Sequence, residues 1–370
     1  MPKNIPKDLK IAVGHDDLTV PYAGGDKIFA AIAEIFPQAD IFTSMITDQW
    51  RRRLSGRQII STFMQKIPLK RKLQKALFLL YPIAFESIDL SDYDLVISSS
   101  SRFGHGVITK PETTHICYMH SPGRMFWEPE RYFQDSPKLG KILSPLLSYL
   151  RLWDYTAAQR VDQFIANSEN IARKIKKYYG REAAVIYPFV DLDRFKFAGG
   201  AAGSSGDYFL VVTRLAPWKR VDIAVQAAQE AGLPLKVVGS GPGLAHLKKL
   251  AGGKVEILGG VSDAELEELY RNCQAFIMTQ EEDFGITALE AQALGKPVIA
   301  YGAGGALETV VEGKTGEFFS SQTAQALGAV LKKFKPGRYD PQACRAQAER
   351  FSQERFRKEI LSLVGRSLNR

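Results

Sequence analysis

A chain of 370 residues is long enough for two domains. At 45% hydrophobic and 24% charged residues it reads as an ordinary globular protein, which excludes a largely disordered one. The longest strongly apolar run, residues 76–85, has about half the length a membrane-crossing helix needs. The start, MPKNIPKDLKIAVG, carries no apolar core or cleavage signature, so secretion is not expected. Cys117, Cys273 and Cys344 are scattered and show no metal-ligand spacing, which argues for a reducing, cytosolic compartment. The net charge of +9 is uneven: residues 1–190 carry 26 Lys/Arg against 19 Asp/Glu. A basic first half beside a nearly neutral second half points to an anionic partner for the first half.

Residues 9–14 (LKIAVG) predict a buried first strand, followed by His15, Asp16 and Asp17, then a loop holding Gly24, Gly25 and Asp26. A helix is expected over 27–36. A glycine pair on a strand-to-helix connection lets a ligand approach the backbone, and the amides behind it can receive a phosphate. Residues 50–75 hold nine Lys or Arg and no acid, among them Arg51, Arg52, Arg53, Arg57, Lys70, Arg71 and Lys72. Apolar and aromatic residues are interleaved, Trp50, Leu54, Phe63 and Met64 among them. The pattern fits a surface lying on anionic lipid, or a solvated helix pair with an apolar underside. No nucleic-acid-binding motif accompanies it.

Strands follow at 93–98, ending in a polar run (Ser98 to Ser101) expected to open a ligand-facing loop, and at 115–119. The latter delivers His120 to a Pro-Gly turn, with Arg124 in the same loop. A histidine at a strand end is on its own more often structural. Helices at 146–161 and 169–179 and strands at 163–166 and 184–187 complete the first half. Residues 196–207 are small and aperiodic and read as a loop.

The second half opens with a strand at 208–213 and the segment RLAPWKR. Arg214 and Lys219 can clasp a diphosphate there, the guanidinium by paired N–H bonds and the ammonium as a point charge. A helix spans 221–231. The glycine-rich exit of the next strand, Gly239-Ser-Gly-Pro-Gly243, has the wrong spacing for a dinucleotide fingerprint and reads as a nucleotide-facing turn. A strand at 254–258 leads to Val261, and Ser262 with Glu265 forms a capping box on a helix to 273. The strand 275–278 runs into TQEEDFG, a helix over 287–294, and a parallel strand at 298–300. The amides of Gly285, Ile286 and Thr287 are the unpaired donors of that helix, a site for diphosphate or sugar hydroxyls. Glu282 before the turn and Glu290 within the helix can accept hydroxyl hydrogen bonds. After 316–319 two helices are expected to close the chain.

The stretch EEDFGITALEAQALGKPVIAYGAGGALETVVEGKTGEFF resembles the C-terminal signature of the family-4 retaining glycosyltransferases, and the likeness extends over nearly the whole chain. The wording TRLAPWKRVDIAVQA is similar to the branch that transfers mannose in lipopolysaccharide or O-antigen glycans. The resemblance implies an α/β chain of the GT-B fold, with two Rossmann-like domains facing across a cleft. It divides the chain into an acceptor-side domain over 1–190, a nucleotide-sugar domain over 191–351, and a last helix (352–370) crossing back to the first. It implies donor contacts at Gly24, Gly25, Gly239, Val261, Phe284, Gly285, Ile286, Thr287 and Glu290. Catalytic roles fall to His120, Arg214, Lys219 and Glu282. The family often has Glu where this chain has Asp26; acceptor or membrane contacts at Asp26, Arg124, Arg51–Arg53 and Lys70–Lys72 are the weaker assignments. The expected reaction moves a hexose, mannose from GDP-mannose first, onto a membrane-associated glycan or glycolipid, with no cofactor or metal. The expected place is the cytoplasmic membrane face. A nucleotide-sugar epimerase of the same architecture, using Asp16 and Asp17, and a non-catalytic sugar-binding subunit are the alternatives.

Overall fold

Seven strands form the first sheet: β1 (Ile11–His15), β2 (Asp40–Thr43), β3 (Ile59–Ser61), β4 (Leu95–Ser100), β5 (Thr114–Met119), β6 (Gln163–Ala166) and β7 (Ala183–Val185). All neighbours pair in parallel, in the order β3-β2-β1-β4-β5-β6-β7. A second parallel sheet has six: β8 (Phe209–Val212), β9 (Leu235–Val238), β10 (Val255–Gly259), β11 (Ala275–Met278), β12 (Val298–Tyr301) and β13 (Gly316–Phe319). Their order is β10-β9-β8-β11-β12-β13. This computed structural model describes residues 6, 8–19, 24–68, 77–133, 136–197 and 206–369. The chain divides into two units, Met1–Tyr187 with Phe356–Arg370, and Pro188–Arg355.

Parallel strands joined by crossover helices are covered on both faces, so their central members read as unbroken apolar runs. β8 and β11 do so, and β1 and β4 do so over their first three residues, with Ala12, Val13, Val96, Leu210 and Ile277 all buried. The helix Glu169–Tyr179 starts on Ser168, whose hydroxyl accepts from the Ile171 amide, and stops at Gly180 in the left-handed region. The helix Asp263–Asn272 has the capping box of Ser262 and Glu265.

Three expectations change. The serines of 98–100 are the buried end of β4, because buried partners satisfy their hydroxyls. The described part of the basic segment, residues 50–68, runs through a short helix (Asp48–Arg53), β3 and a 3-10 turn (Phe63–Lys66). Its Trp50, Leu54 and Met64 are buried, so those apolar groups serve the core. After β13 the chain ends in three α-helices among the described residues, Ala324–Lys333, Pro341–Glu349 and Gln353–Ser367, not two. Lys70, Arg71 and Lys72 lie outside the described residues, as does most of the 196–207 loop.

Arg57, counted in that basic segment, is a structural cation. Its guanidinium donates to the carbonyls of Ala33 (2.7 Å), Phe36 (3.0 Å) and Ala39 (3.2 Å) at the end of the helix Gly25–Ile35. The guanidinium thus ties the last turn of the helix to the turn that follows it, adding to the backbone bonds that the Ala33 and Phe36 carbonyls already accept. Arg57→Ala is expected to destabilise the first unit by roughly 1–3 kcal/mol, read as a lower denaturant midpoint by intrinsic fluorescence.

Candidate functional site

Ligands of open α/β sheets bind at the C-terminal ends of the strands, where the connections from two neighbours diverge. Here that point lies between β1 and β4 in the first unit and between β8 and β11 in the second. Polar side chains collect at both.

In the first unit His15 ends β1 in register with Ser99 of β4. Its Nδ1 lies 2.9 Å from the Ser99 carbonyl, which can only accept, so Nδ1 carries a proton. Its Nε2 faces the Asp26 carboxylate at 3.3 Å. Two acceptors on two ring nitrogens favour the imidazolium. Burial alone would lower the His15 pKa, but the Asp26 hydrogen bond and the charges of Asp16, Asp26 and Asp17 outweigh it and raise it. The Ser99 hydroxyl lies 3.0 Å from His15 Nδ1 and 2.8 Å from His120 Nε2. The predicted His120 is thereby tied to a histidine and a carboxylate (Asp26) that sequence reasoning did not place beside it. A Cβ on Gly25 would stand 3.4 Å from the His120 ring, an ordinary contact, so the ring lies beside the start of the helix.

Asp16 organises the adjacent loop. Its carboxylate accepts from the amides of Ser101 (2.7 Å), Phe103 (2.9 Å) and Gly104 (2.6 Å) and from the Ser100 hydroxyl (3.1 Å). Burial would raise its pKa, but Arg102, His15 and the Phe103 and Ser101 amides together hold it below the ordinary carboxylate value. Asp17 is bound to Arg102 at 2.7 Å. Both aspartates are buried and engaged in these contacts, which makes them supports of the loop. Arg124 is half-buried, the first residue of the short helix Arg124–Trp127. Arg51, Arg52 and Arg53 are exposed.

In the second unit Lys219 ends a 3-10 turn (Pro217–Lys219) after β8 and meets Glu282 in the loop after β11, Nζ to Oε1 2.5 Å. Both side chains are 15% exposed. The pair is held from three sides. The Thr279 hydroxyl donates to the Lys219 carbonyl at 2.8 Å, and the Gln280 amide donates to the Glu282 carboxylate. The Glu282 carbonyl accepts from the Gly305 amide at 2.8 Å, a clip reinforced by a bridge between Glu282 and Gly304. Arg214, by contrast, is exposed, and among the described residues its guanidinium makes no ion pair.

Gly285, at φ 97°, turns the chain into the helix Ile286–Ala293, whose first amides belong to Ile286 and Thr287. Glu290 is buried and accepts from the Tyr270 hydroxyl at 3.0 Å, so Tyr270 orients it. Phe284 is buried against Phe351, with centroids 5.5 Å apart; its ring packs the core and only its backbone can face a ligand. Gly239 has a different local reason. A Cβ there would fall 1.8 Å from the Thr213 carbonyl, and Leu215 N donates to the Ser240 carbonyl. The glycine-rich turn is thus stitched to the segment carrying Arg214 and Lys219. Val261 is half-buried after β10. His15, Ser99, Gln280 and Tyr270 were not singled out as site residues from the sequence; only the position of His15 at the end of the first strand could have signalled it.

Among the described residues no group of three His, Cys, Asp or Glu is arranged to hold a metal ion, and no helix is long and apolar enough to cross a membrane.

The family model for Glycosyltransferase Family 4 matches residues 24–194, and that for Glycosyl transferases group 1 matches residues 194–351. A D-inositol 3-phosphate glycosyltransferase of Streptomyces avermitilis is 31% identical over 204 residues, 47% of this chain and 44% of the relative. One of Mycobacterium bovis is 32% identical over 235 residues, 56% of this chain and 49% of the relative. The alignments thus span about half the length of these curated relatives. Anabaena HepE, solved with UDP, aligns over 96% of this chain and 99% of its own with a TM-score of 0.69 at 18% identity. Sucrose-phosphate synthase of Thermosynechococcus elongatus aligns over 96% and 98% with a TM-score of 0.71, also at 18% identity. These likenesses establish the fold as that of GT-B glycosyltransferase structures. Matched in both halves, the chain belongs to the family-4 glycosyltransferases of the GT-B type.

Proposed function

We propose that the chain transfers a hexose from a nucleoside-diphosphate sugar to a hydroxyl of a membrane-associated glycan or glycolipid, with retained anomeric configuration and without a metal. The observation that carries this is the half-buried Lys219–Glu282 pair at the β8/β11 divergence, beside the amide-bearing start of the helix Ile286–Ala293. A cation, a carboxylate and free amides on one strand-end surface suit a ligand that is anionic at one end and hydroxyl-rich at the other. In the reaction the bond from the anomeric carbon to the diphosphate oxygen breaks and a bond to the acceptor oxygen forms. The acceptor's proton passes to the departing phosphate. Lys219, Arg214 and the amides of Gly285, Ile286 and Thr287 offset the growing negative charge. Glu282 takes sugar hydroxyls, Glu290 the ribose, and Gly239 and Val261 lie toward the base. Gly24, Gly25 and His120 are assigned to the donor's diphosphate and sugar. Arg124 and Arg51–Arg53 are assigned to acceptor phosphate or lipid, on the cytoplasmic membrane face.

GDP-mannose is the first choice of donor, from the wording around Arg214 and Lys219. UDP-hexoses are the competing reading, favoured by HepE having been solved with UDP-glucose. A thermal-shift panel of nucleotide sugars separates them, because a ligand bound to the native state alone raises Tm by mass action. GDP-mannose is expected to give the largest shift. Glu290→Gln keeps an acceptor for the Tyr270 hydroxyl, so it should leave the unliganded Tm nearly unchanged while weakening the nucleotide about ten-fold. No shift with any nucleotide sugar would sink the proposal.

A further inference from the structure

The exposed large apolar side chains of the first unit are concentrated on a few segments. Of the thirteen large hydrophobic residues that are exposed among the described ones, eight fall within residues 79–83 and 132–155. The sharpest group is on two consecutive helices, Pro137–Ile142 and Ser144–Gln159. The second buries Leu147, Leu150, Asp154, Ala157 and Ala158 on one face. The opposite face, where a soluble helix carries charge, holds Tyr149 (64% exposed), Leu152 (65%) and Tyr155 (44%). Ile142, at 75%, extends the patch onto the first helix. Apolar patches of this kind mark contact surfaces.

Charge says what the surface meets. Residues 136–153 contain Lys138, Lys141 and Arg151 and no acid. Arg151 is turned inward, donating to the Phe126 carbonyl and lying over Trp127, whereas Lys138 and Lys141 are exposed. Lysines on long apolar stems beside tyrosines and aliphatic groups match the boundary between phosphate headgroups and acyl chains. Of the acids flanking this stretch, Asp154 is buried and Asp135 lies outside the described residues. In the described part of the basic stretch that first suggested lipid contact, Trp50, Leu54 and Met64 lie in the core and Phe63 is exposed.

We propose that the outer face of helices Pro137–Ile142 and Ser144–Gln159 docks on an anionic bilayer surface, with Ile142, Tyr149 and Leu152 entering the interface and Lys138 and Lys141 at the headgroups. The inference deepens the proposed membrane-associated acceptor and rests on that reading for its purpose, while docking itself is measured without any sugar transfer. The test is flotation of the full chain with vesicles of phosphatidylcholine alone or mixed with phosphatidylglycerol. The chain is expected to float only with the mixed vesicles, and added salt should weaken it. Ile142→Ser with Leu152→Ser is expected to lower partition by at least ten-fold or so, with Tm unchanged because both side chains are exposed. Lys138→Gln and Lys141→Gln should each lower it about five-fold. Equal flotation with both vesicle types, or full binding by the Ser double variant, overturns the proposal. So does binding lost only on replacing Arg51, Arg52 and Arg53 with Gln. A dimer in sedimentation that Leu152→Ser dissolves, without flotation, assigns the face to a second copy instead and equally overturns it. A chain that floats yet transfers no sugar leaves the docking intact and sinks the transferase reading; transfer to a soluble acceptor without flotation does the reverse.

Discussion

Lys219→Ala is expected to cut sugar transfer by about 10²–10³-fold, equivalent to roughly 3–4 kcal/mol of lost transition-state stabilisation. Lys219 is the cation that the fold places at the strand divergence, 85% covered, with its backbone tied to Thr279 and its ammonium on Glu282. Charge accumulates on the leaving diphosphate only as the glycosidic bond breaks, so the loss should fall on kcat more than on KM. Lys219→Arg keeps the charge but spreads it over a plane that the short contact to Glu282 does not fit, and should recover only part of the rate. Turnover of Lys219→Ala within about three-fold of the parent would remove the assignment.

Asp16→Ala is expected to be the most destabilising single change at the site, by about 3–5 kcal/mol, through three amides and a hydroxyl left buried without their acceptor. The effect should be local first. Hydrogen exchange at Ser101, Phe103 and Gly104 is expected to accelerate before global unfolding shifts. The pH dependence has a definite sign. The Asp16 pKa is lower folded than unfolded. Its contribution is therefore present above about pH 4 and is lost as pH falls through the depressed folded value. A variant matching the parent at pH 7 and differing only in acid would contradict this.

How much the sequence disclosed depended on where each residue's partner lies. The helix Val221–Ala231 and strand Ala275–Met278 were legible to the residue, because periodicity and flanking glycines are local signals. β2 and β3 were missed: four and three residues are too few to show a period, and Asp40, Thr43 and Ser61 dilute them. The serines of β4 looked like a loop because hydroxyls signal exposure unless the buried partners are known. Ser98 faces His115, Ser99 faces His15 and His120, and Ser100 faces Asp16. Arg57 was indistinguishable from its basic neighbours since the carbonyls it binds are 18 to 24 residues away. Of the site, Glu282 and Lys219 were readable from motif, while the Tyr270 support of Glu290 and the histidine pair required the fold.

The contact between the Lys219 ammonium and the Glu282 carboxylate also bears on which solutes this site discriminates against. A cation already neutralised by a neighbour offers little to chloride or to a lone orthophosphate, each of which would have to displace that neighbour and bring nothing for it to hold. A pyrophosphate joined to a sugar compensates both sides at once, the anion taking the ammonium and the hydroxyls occupying the carboxylate. On the proposed reading, the site therefore selects against simple anions by the requirement that two exchanges happen together.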